Sequence, residues 1–175
     1  KDGKLLWKSD WPGKVAVIPT PIFKDGHVYV ASGYGVGCKL IKVGPGNSVT
    51  DVYANKNMEN HHGGVILIGS QLYGYSGMNP KGGQWVCQDF KTGEIVWKSN
   101  NLGKGALHCA EGMLYLLDES TGQVVLVDAS PKGWQEHGRF TLSPQTTQRN
   151  PKGRIWKHPV VANGKLYLRD QELIF

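Results

Sequence analysis

The chain has 175 residues, 39% of them hydrophobic, and a formal charge of +6 at pH 7. A chain of this size and composition can bury one substantial core, which excludes a disordered or fibrous protein. The lysines are spread along the chain without a basic run, and no apolar segment approaches the ~20 residues that span a bilayer, so we predict neither nucleic-acid binding nor a membrane span.

The first predicted element is a single strand at residues 2–9. Its sequence, Asp-Gly-Lys-Leu-Leu-Trp-Lys-Ser, matches Thr-Gly-Glu-Ile-Val-Trp-Lys-Ser at residues 92–99. Because residues 92–99 end a unit of four predicted strands, we expect residues 2–9 to be the fourth strand of a unit whose other three strands lie elsewhere in the chain.

The first complete unit covers residues 16–54. It contains four short apolar runs, at residues 21–23, 28–31, 39–43 and 49–53, separated by turns that contain glycine. Short runs with β-branched and aromatic residues between such turns are typical of antiparallel strands. We label the four strands of a unit A to D in chain order.

Two more units of the same plan cover residues 62–99 and 105–142. In the clearest copy, the apolar run 65–68 turns at Gly69 into a second strand that ends near Tyr75. Uninterrupted apolar runs are typical of inner strands packed between two layers, whereas the more polar D strands suit an outer edge.

The last predicted strands lie at residues 158–175 and supply A, B and C without a D strand. Each unit carries a short turn phrase, usually with glycine, followed by Leu or Val and then Tyr. The four tyrosines are Tyr29, Tyr73, Tyr115 and Tyr167, which lie 44, 42 and 52 residues apart. A β-rich period of ~40–50 residues is typical of propeller blades. We therefore predict an all-β fold, a β-propeller of about four antiparallel four-stranded blades, three whole and one split between the termini.

A split blade allows three arrangements of the ring. The strand at residues 2–9 can close the C-terminal blade within one chain, two chains can share blades in a homodimer with an eight-bladed ring, or the chain can be a piece of a longer propeller. We favour part or half of a seven- or eight-bladed ring, because the period and the apolar inner strands resemble those of large rings.

Residues 87–97 contain the most specific motif of the chain. Their sequence, Cys-Gln-Asp-Phe-Lys-Thr-Gly-Glu-Ile-Val-Trp, resembles the A-x-D-x-x-T-G-x-x-x-W motif of the pyrroloquinoline-quinone (PQQ)-like β-propeller repeat, with Cys87 in place of Ala. The resemblance extends through residues 2–7 and, more weakly, through residues 121–122 and Asp128, so it covers essentially the whole chain.

The motif has structural roles that follow from its chemistry. Gly93 accepts a positive φ in the turn between strands C and D, and Asp89 can accept backbone N–H groups of that turn. Trp97 offers a large flat face to the adjoining blade. We expect Trp7, which matches Trp97, to be structural as well.

The PQQ-like family includes both enzymes and scaffolds. Its members include periplasmic quinoprotein alcohol and glucose dehydrogenases, and non-enzymatic scaffolds similar to the outer-membrane assembly lipoprotein BamB. The resemblance implies a periplasmic or extracellular location, although no signal peptide opens this chain. Fold alone does not choose between the two functions.

The spacing of the cysteines favours a scaffold. Quinoprotein alcohol dehydrogenases typically hold PQQ against two adjacent cysteines, beside a calcium ion, whereas Cys38, Cys87 and Cys109 are far apart. We predict buried hydrophobic thiols here, with one disulfide and a free thiol as the alternative.

The leading hypothesis is a noncatalytic binding or scaffold module with no predicted cofactor. The alternative is a fragment of a PQQ-dependent dehydrogenase that oxidises alcohols or sugars with PQQ and calcium, so enzymatic activity stays open.

Loops that enter strand A and loops that leave strand B lie on one face of a propeller, where ligands usually bind. The tyrosine alignment places seven charged or titratable residues in these loops: His61, His62, Lys104, Asp118, Glu119, His158 and Asp170. Imidazole, carboxylate and ammonium groups on one face predict a polar binding surface for a protein, peptide or saccharide partner.

Two interpretations of these residues stay open at the level of sequence. His61 and His62 lie beside glycines and could hold a metal or an anionic ligand if His158 or Asp118 converged on them, but two loop histidines bonded to backbone groups are the simpler interpretation. The acidic residues of the set could bind calcium or act as acid and base, but capping of the turns after strand B is simpler.

Overall fold

The fold is built from antiparallel sheets that follow one another along the chain. The computed structural model describes residues 2–78 and 82–175. Within these residues, three four-stranded sheets are followed by two two-stranded ladders, and each four-stranded sheet runs up and down in chain order. The one helical element of this part of the chain is a 3-10 turn at Pro45–Asn47. The predicted all-β fold of four-stranded antiparallel units is confirmed.

The first sheet lies inside the predicted unit at residues 16–54. Its strands are β1 (Ile22–Lys24), β2 (His27–Ser32), β3 (Gly37–Val43) and β4 (Val49–Asn55). The two inner strands are largely buried and the outer strand β4 is mostly exposed, because only β2 and β3 have sheet neighbours on both sides and a packed layer above them.

The second and third sheets repeat this plan. The second consists of β5 (Val65–Ile68), β6 (Gln71–Ser76), β7 (Gln84–Asp89) and β8 (Ile95–Ser99), and the third of β9 (Gly105–Ala110), β10 (Met113–Asp118), β11 (Gln123–Asp128) and β12 (Glu136–Thr141). In all three sheets the register shifts between the third and fourth strands. Such bulges increase the local twist, as expected for blades of one repeating design.

The last strands form two short ladders instead of one continuous sheet. They are β13 (Val160–Ala162) with β14 (Lys165–Tyr167), and β15 (Arg169–Asp170) with β16 (Leu173–Ile174). Leu168 separates β14 from β15, but its backbone N–H and C=O still bond to Phe175 at 3.1 and 2.9 Å. The predicted second strand is therefore kinked at Leu168 while its pairing with the C-terminal segment is kept.

Residues 2–9, which the sequence predicts as a strand, form none in the described chain. Leu5 and Leu6 there are 74% and 61% exposed. A strand needs a neighbouring edge to satisfy its backbone N–H and C=O groups, and no strand of the described chain lies beside residues 2–9. The split blade stays a prediction.

The core lies between successive sheets. One cluster joins the first and second sheets around Tyr29 and Leu72, a second joins the second and third sheets around Tyr73 and Leu116, and a third joins the third sheet to Leu168. The first strands of neighbouring sheets also lie side by side, with β9 next to both β5 and β13. The sheets thus stack face to face, with their first strands on a common inner side.

The turn motif at residues 89–97 has the structure expected from its chemistry. The Asp89 carboxylate accepts two backbone N–H groups of the turn at 2.8 and 2.9 Å, and Gly93 has φ +73°. Trp97 donates its indole N–H to the Ser130 carbonyl at 2.8 Å and packs against Tyr73 in the cluster between the second and third sheets. These residues shape the blade and its contact with the next one.

Candidate functional site

The connections that enter first strands and leave second strands gather at one end of the sheets. We call this end the loop face, and it comprises residues 33–36, 56–64, 100–104, 119–122, 142–159 and 171–172. Backbone hydrogen bonds hold these loops in place across sheets: Leu107 N–H of β9 donates to the Gly63 carbonyl at 3.3 Å, and Ile155 N–H donates to the Glu119 carbonyl at 2.8 Å. The loops are therefore held against neighbouring strands and loops.

The centre of the loop face is a chain of polar side chains. The hydroxyl of Tyr34 lies 3.0 Å from His61 Nε2, and His61 Nδ1 lies 3.1 Å from Lys104 Nζ. The same ammonium lies 3.5 Å from a carboxylate oxygen of Glu119, and the side chains of Lys104 and Glu119 are almost completely buried. Four residues from four different loops are thus linked in one line.

Burial determines the protonation state of the two histidines at this site, His61 and His62. Desolvation, with smaller contributions from His62 and Lys104, lowers the pKa of His61 to about 4. Desolvation, together with Lys104 and His158, also lowers the pKa of His62. A neutral His61 accepts a hydrogen bond from the Lys104 ammonium at Nδ1 and donates from Nε2 to the Tyr34 hydroxyl.

The carboxyl group of Glu119 has two opposing influences. Burial raises its pKa, and the neighbouring Lys104 ammonium acts in the other direction. Because burial disfavours the charged carboxylate, the ion pair with Lys104 is the interaction that compensates for removing that charge from water.

An exposed aromatic platform lies beside the polar chain. The rings of His62 and Trp156 stack with centroids 4.4 Å apart and an interplanar angle of 21°. His158 Nε2 donates to the carbonyl oxygen of His62 at 2.9 Å and so ties the last loop to this pair. Trp156 remains 54% exposed, so the platform faces solvent.

Two glycines permit this close packing of loops. A Cβ on Gly63 would lie 2.0 Å from the carbonyl oxygen of Gly105, and one on Gly64 would lie 2.9 Å from the ring of His158. A larger residue at either position would push the histidine loop away from its neighbours. The glycines beside the two histidines are therefore explained by packing of the loop.

Five of the seven predicted residues come together: His61, His62, Lys104, Glu119 and His158. Their role in binding stays a prediction. Sequence reasoning missed Tyr34 and Trp156, which complete the group. The signals for them were weak, a tyrosine inside a glycine-rich loop and a tryptophan two residues before His158.

Asp118 and Asp170 have structural partners instead. Asp118 accepts the backbone N–H groups of Ser120 and Thr121 at 2.7 and 2.8 Å, so it caps the turn between β10 and β11. Asp170 accepts two hydrogen bonds from the guanidinium of Arg149. The weak motif copy at residues 121–122 therefore lies in a connection between second and third strands, unlike Gly93, which lies between third and fourth strands.

The described residues contain no group of three or more His, Cys, Asp or Glu side chains arranged to hold a metal ion. The thiols of Cys38, Cys87 and Cys109 are free, and they lie in three different sheets. Across the same part of the chain, no helix has the length and apolar character needed to cross a membrane.

Comparison with known proteins gives information on the fold. No family model matches the chain, and no curated protein matches its sequence. Among solved structures, the crystal structure of BamB from Moraxella catarrhalis is similar, with a TM-score of 0.62 over 88% of this chain and 18% sequence identity. The fold is that of a partial β-propeller. The match covers 40% of the BamB chain, so this segment spans less than half of that protein's length.

The described residues do not offer the groups that hold PQQ and calcium in quinoprotein alcohol dehydrogenases. Their thiols lie in three different sheets without forming an adjacent pair in the sequence, and Cys38 and Cys87 are buried. The acidic residues at and beside the loop face all have protein partners. Glu119 pairs with Lys104, and Asp170 pairs with Arg149. The other three accept hydrogen bonds: Asp118 from the turn that it caps, Glu59 from the Gly35 backbone N–H, and Glu172 from the Thr146 hydroxyl. The residues of the described chain therefore do not fit this cofactor and its metal ion.

Proposed function

We propose that this chain is a noncatalytic β-propeller module that binds a peptide segment of a partner protein through its loop face. The observation that carries the proposal is Trp156, which is 54% exposed yet held in place by stacking on His62. A fixed aromatic ring loses little conformational entropy on binding and provides a large contact area, as in the anchor residues of many interfaces.

The line of hydrogen-bonded polar side chains beside Trp156 favours a binding function over a catalytic one. Both ring nitrogens of His61 are engaged, and Glu119 is paired with Lys104. A general base needs a lone pair that can reach a substrate proton. Groups that saturate one another instead form a rigid support for the surface above them.

The fold likeness to BamB supports the proposal of a scaffold module and, with the resemblance of the repeat, a location in the periplasm or outside the cell. A saccharide could stack on the same tryptophan, so it is the competing partner class. We also propose that two chains form a homodimer that completes the ring. The molecular mass of the protein in solution tests this directly.

A randomised peptide library selected against the folded chain provides the test. We expect Trp156→Ala to weaken the selected peptide by about 10-fold or more, which is ~1.4 kcal/mol or more. Phe23→Ala is the matched control, because Phe23 is 71% exposed in β1, away from the loop face. Equal weakening by the two variants, or selection of saccharides but no peptides from parallel arrays, would contradict the proposal.

The alternative function, a fragment of a PQQ-dependent dehydrogenase, has a direct assay. The chain is mixed with PQQ, calcium, an alcohol or sugar, and a dye that accepts electrons. Reduction of the dye that depends on both the chain and the quinone would replace the binding proposal with an enzymatic one.

A further inference from the structure

Trp156, the tryptophan of the aromatic platform, also lines a basic cleft. The cleft has a volume of about 330 Å³ and is formed by residues 154–157 of the last loop and residues 169–171 around β15. Its charged side chains are those of Arg154, Lys157, Arg169 and Asp170. A cleft of this size can hold one or two side chains of a ligand.

The negative charge in the cleft is already neutralised. Asp170 is 1% exposed, and it bonds to the guanidinium of Arg149 and to the backbone N–H of Thr146. Arg154, Lys157 and Arg169 form no ion pair with any described carboxylate, although the charge of Arg154 acts on Glu119 from a distance. Three cations thus line the cleft without a partner of opposite charge.

The two arginines are positioned by backbone groups. Arg154 donates from Nη1 to two carbonyls of its own loop at 3.0 and 3.3 Å, and Arg169 donates from Nε to the Gln171 carbonyl at 2.7 Å. These bonds use one edge of each guanidinium and leave further N–H groups for a ligand. A planar guanidinium held in this way suits a carboxylate, which accepts two parallel hydrogen bonds.

An apolar groove continues from the cleft and favours a peptide over a saccharide. The groove has a volume of about 520 Å³, shares Lys157 and Arg169 with the cleft, and is walled by Val160, Tyr167 and Ile174. A ligand with a carboxylate next to an apolar side chain matches both parts. Acidic peptides with a neighbouring leucine or similar residue have this chemistry, whereas an acidic saccharide lacks the apolar group.

We propose that the basic cleft binds the carboxylate side chain of an acidic peptide, with the adjacent apolar residue in the groove beside it. This inference rests on the proposed function and specifies the chemistry of the partner. Arg154 and Arg169 bind the carboxylate, Lys157 adds charge at the junction of cleft and groove, and Trp156 forms the wall shared with the aromatic platform.

Two labelled peptides with blocked ends test the charge requirement, Gly-Glu-Leu-Glu-Gly and Gly-Gln-Leu-Gln-Gly. Fluorescence anisotropy with the full chain measures their affinities. We expect the glutamate peptide to bind about 10-fold more tightly, and its affinity to fall as salt rises from about 50 to about 300 mM, because salt screens exposed charges. Equal affinity of the two peptides would overturn the inference.

Two double variants with the same change in net charge locate the site. Arg154→Gln with Arg169→Gln removes the two guanidinium groups of the cleft, and Lys42→Gln with Lys132→Gln removes two exposed charges elsewhere. We expect a loss of about 10-fold or more for the first and no change for the second, with circular dichroism to confirm that both variants fold. Similar losses in both would mean nonspecific attraction and would overturn the inference.

The experiment separates failure of this inference from failure of the proposed function. If both peptides bind equally and Trp156→Ala weakens both, the loop face binds peptides without using the basic cleft. If neither they nor library peptides bind, the proposed function fails as well. Polygalacturonate or inorganic phosphate that binds the cleft more tightly than the glutamate peptide would overturn the assignment to a peptide.

Discussion

At the scale of the residue, His61 links the site to the stability of the fold. Its folded-state pKa is lowered to about 4, whereas an imidazole in an unfolded chain has a pKa of ~6.5. Between these pH values the unfolded chain binds a proton that the folded chain does not. The stabilisation is therefore complete above ~6.5 and is lost as the pH falls toward the folded pKa.

His61→Gln should remove this pH dependence, since a glutamine can still bond to Tyr34 and Lys104 but does not titrate. We expect the wild type to lose on the order of 1 kcal/mol more stability than the variant between pH ~7 and ~4.5, after discounting for screening at a partly exposed site. Urea denaturation at several pH values measures the difference. If the free energy of unfolding changes with pH to the same extent in both proteins, His61 does not cause the effect.

Glu119 acts in the opposite direction and serves as an internal control. Burial raises its folded-state pKa, so its contribution is present at low pH and is lost as the pH rises through that pKa. Glu119→Gln should therefore change the pH dependence of the free energy of unfolding in the opposite direction to His61→Gln.

At the scale of the element, the apolar patterns predicted correctly those strands that pair with the next strand in the sequence. The apolar run at residues 65–68 became β5 because β6 follows it after a two-residue turn. Residues 2–9 have an equally good strand pattern, but their partner edge is not next to them in sequence. The residue pattern gives a segment its propensity for a strand, but the strand forms only where it can pair with a neighbouring strand.

The site was predictable to the extent that register determines it. Counting from each tyrosine placed His61, Lys104 and Glu119 on one face, and they are in contact. The count could not tell that Asp170 would be paired with Arg149 from a distant loop, because such a pairing depends on how loops fold back. It also missed Trp156, whose role depends on the ring of His62 beside it.

Gly93 tests the turn between third and fourth strands. It has φ +73°, and a Cβ there would lie 2.6 Å from the Tyr53 ring of the neighbouring sheet. We expect Gly93→Ala to cost about 2 kcal/mol or more, from backbone strain and the clash together. Gly69→Ala is the matched control, because Gly69 has φ +60° and nothing within 4 Å, so only strain of about 1 kcal/mol applies. Equal losses in urea denaturation would exclude the clash.

At the scale of the whole molecule, the three sheets share their cores. The cluster around Tyr29 joins the first sheet to the second, and the cluster around Tyr73 joins the second to the third. Repeat arrays gain much of their stability from such interfaces between neighbours. We therefore expect the first and second sheets to unfold together, even though each is a complete meander.

The three free thiols report on this expectation, because Cys38, Cys87 and Cys109 lie in the first, second and third sheets. In the native protein Cys109 should react first with a thiol reagent, since it is only partly buried. Cys38 and Cys87 are 1% and 0% exposed, and burial raises the pKa of Cys87 to about 11, so both should stay unreactive.

Pulse labelling along a urea series, read by mass spectrometry for each cysteine, then measures the unfolding of each sheet. Cys38 lies in the cluster shared by the first and second sheets, and Cys87 lies in the cluster between the second and third sheets. If the first two sheets unfold as one unit, both thiols should become reactive at the same midpoint. Labelling of Cys38 at clearly lower urea than Cys87 would mean that the first sheet opens alone. The interface would then hold the sheets in place without making their unfolding cooperative.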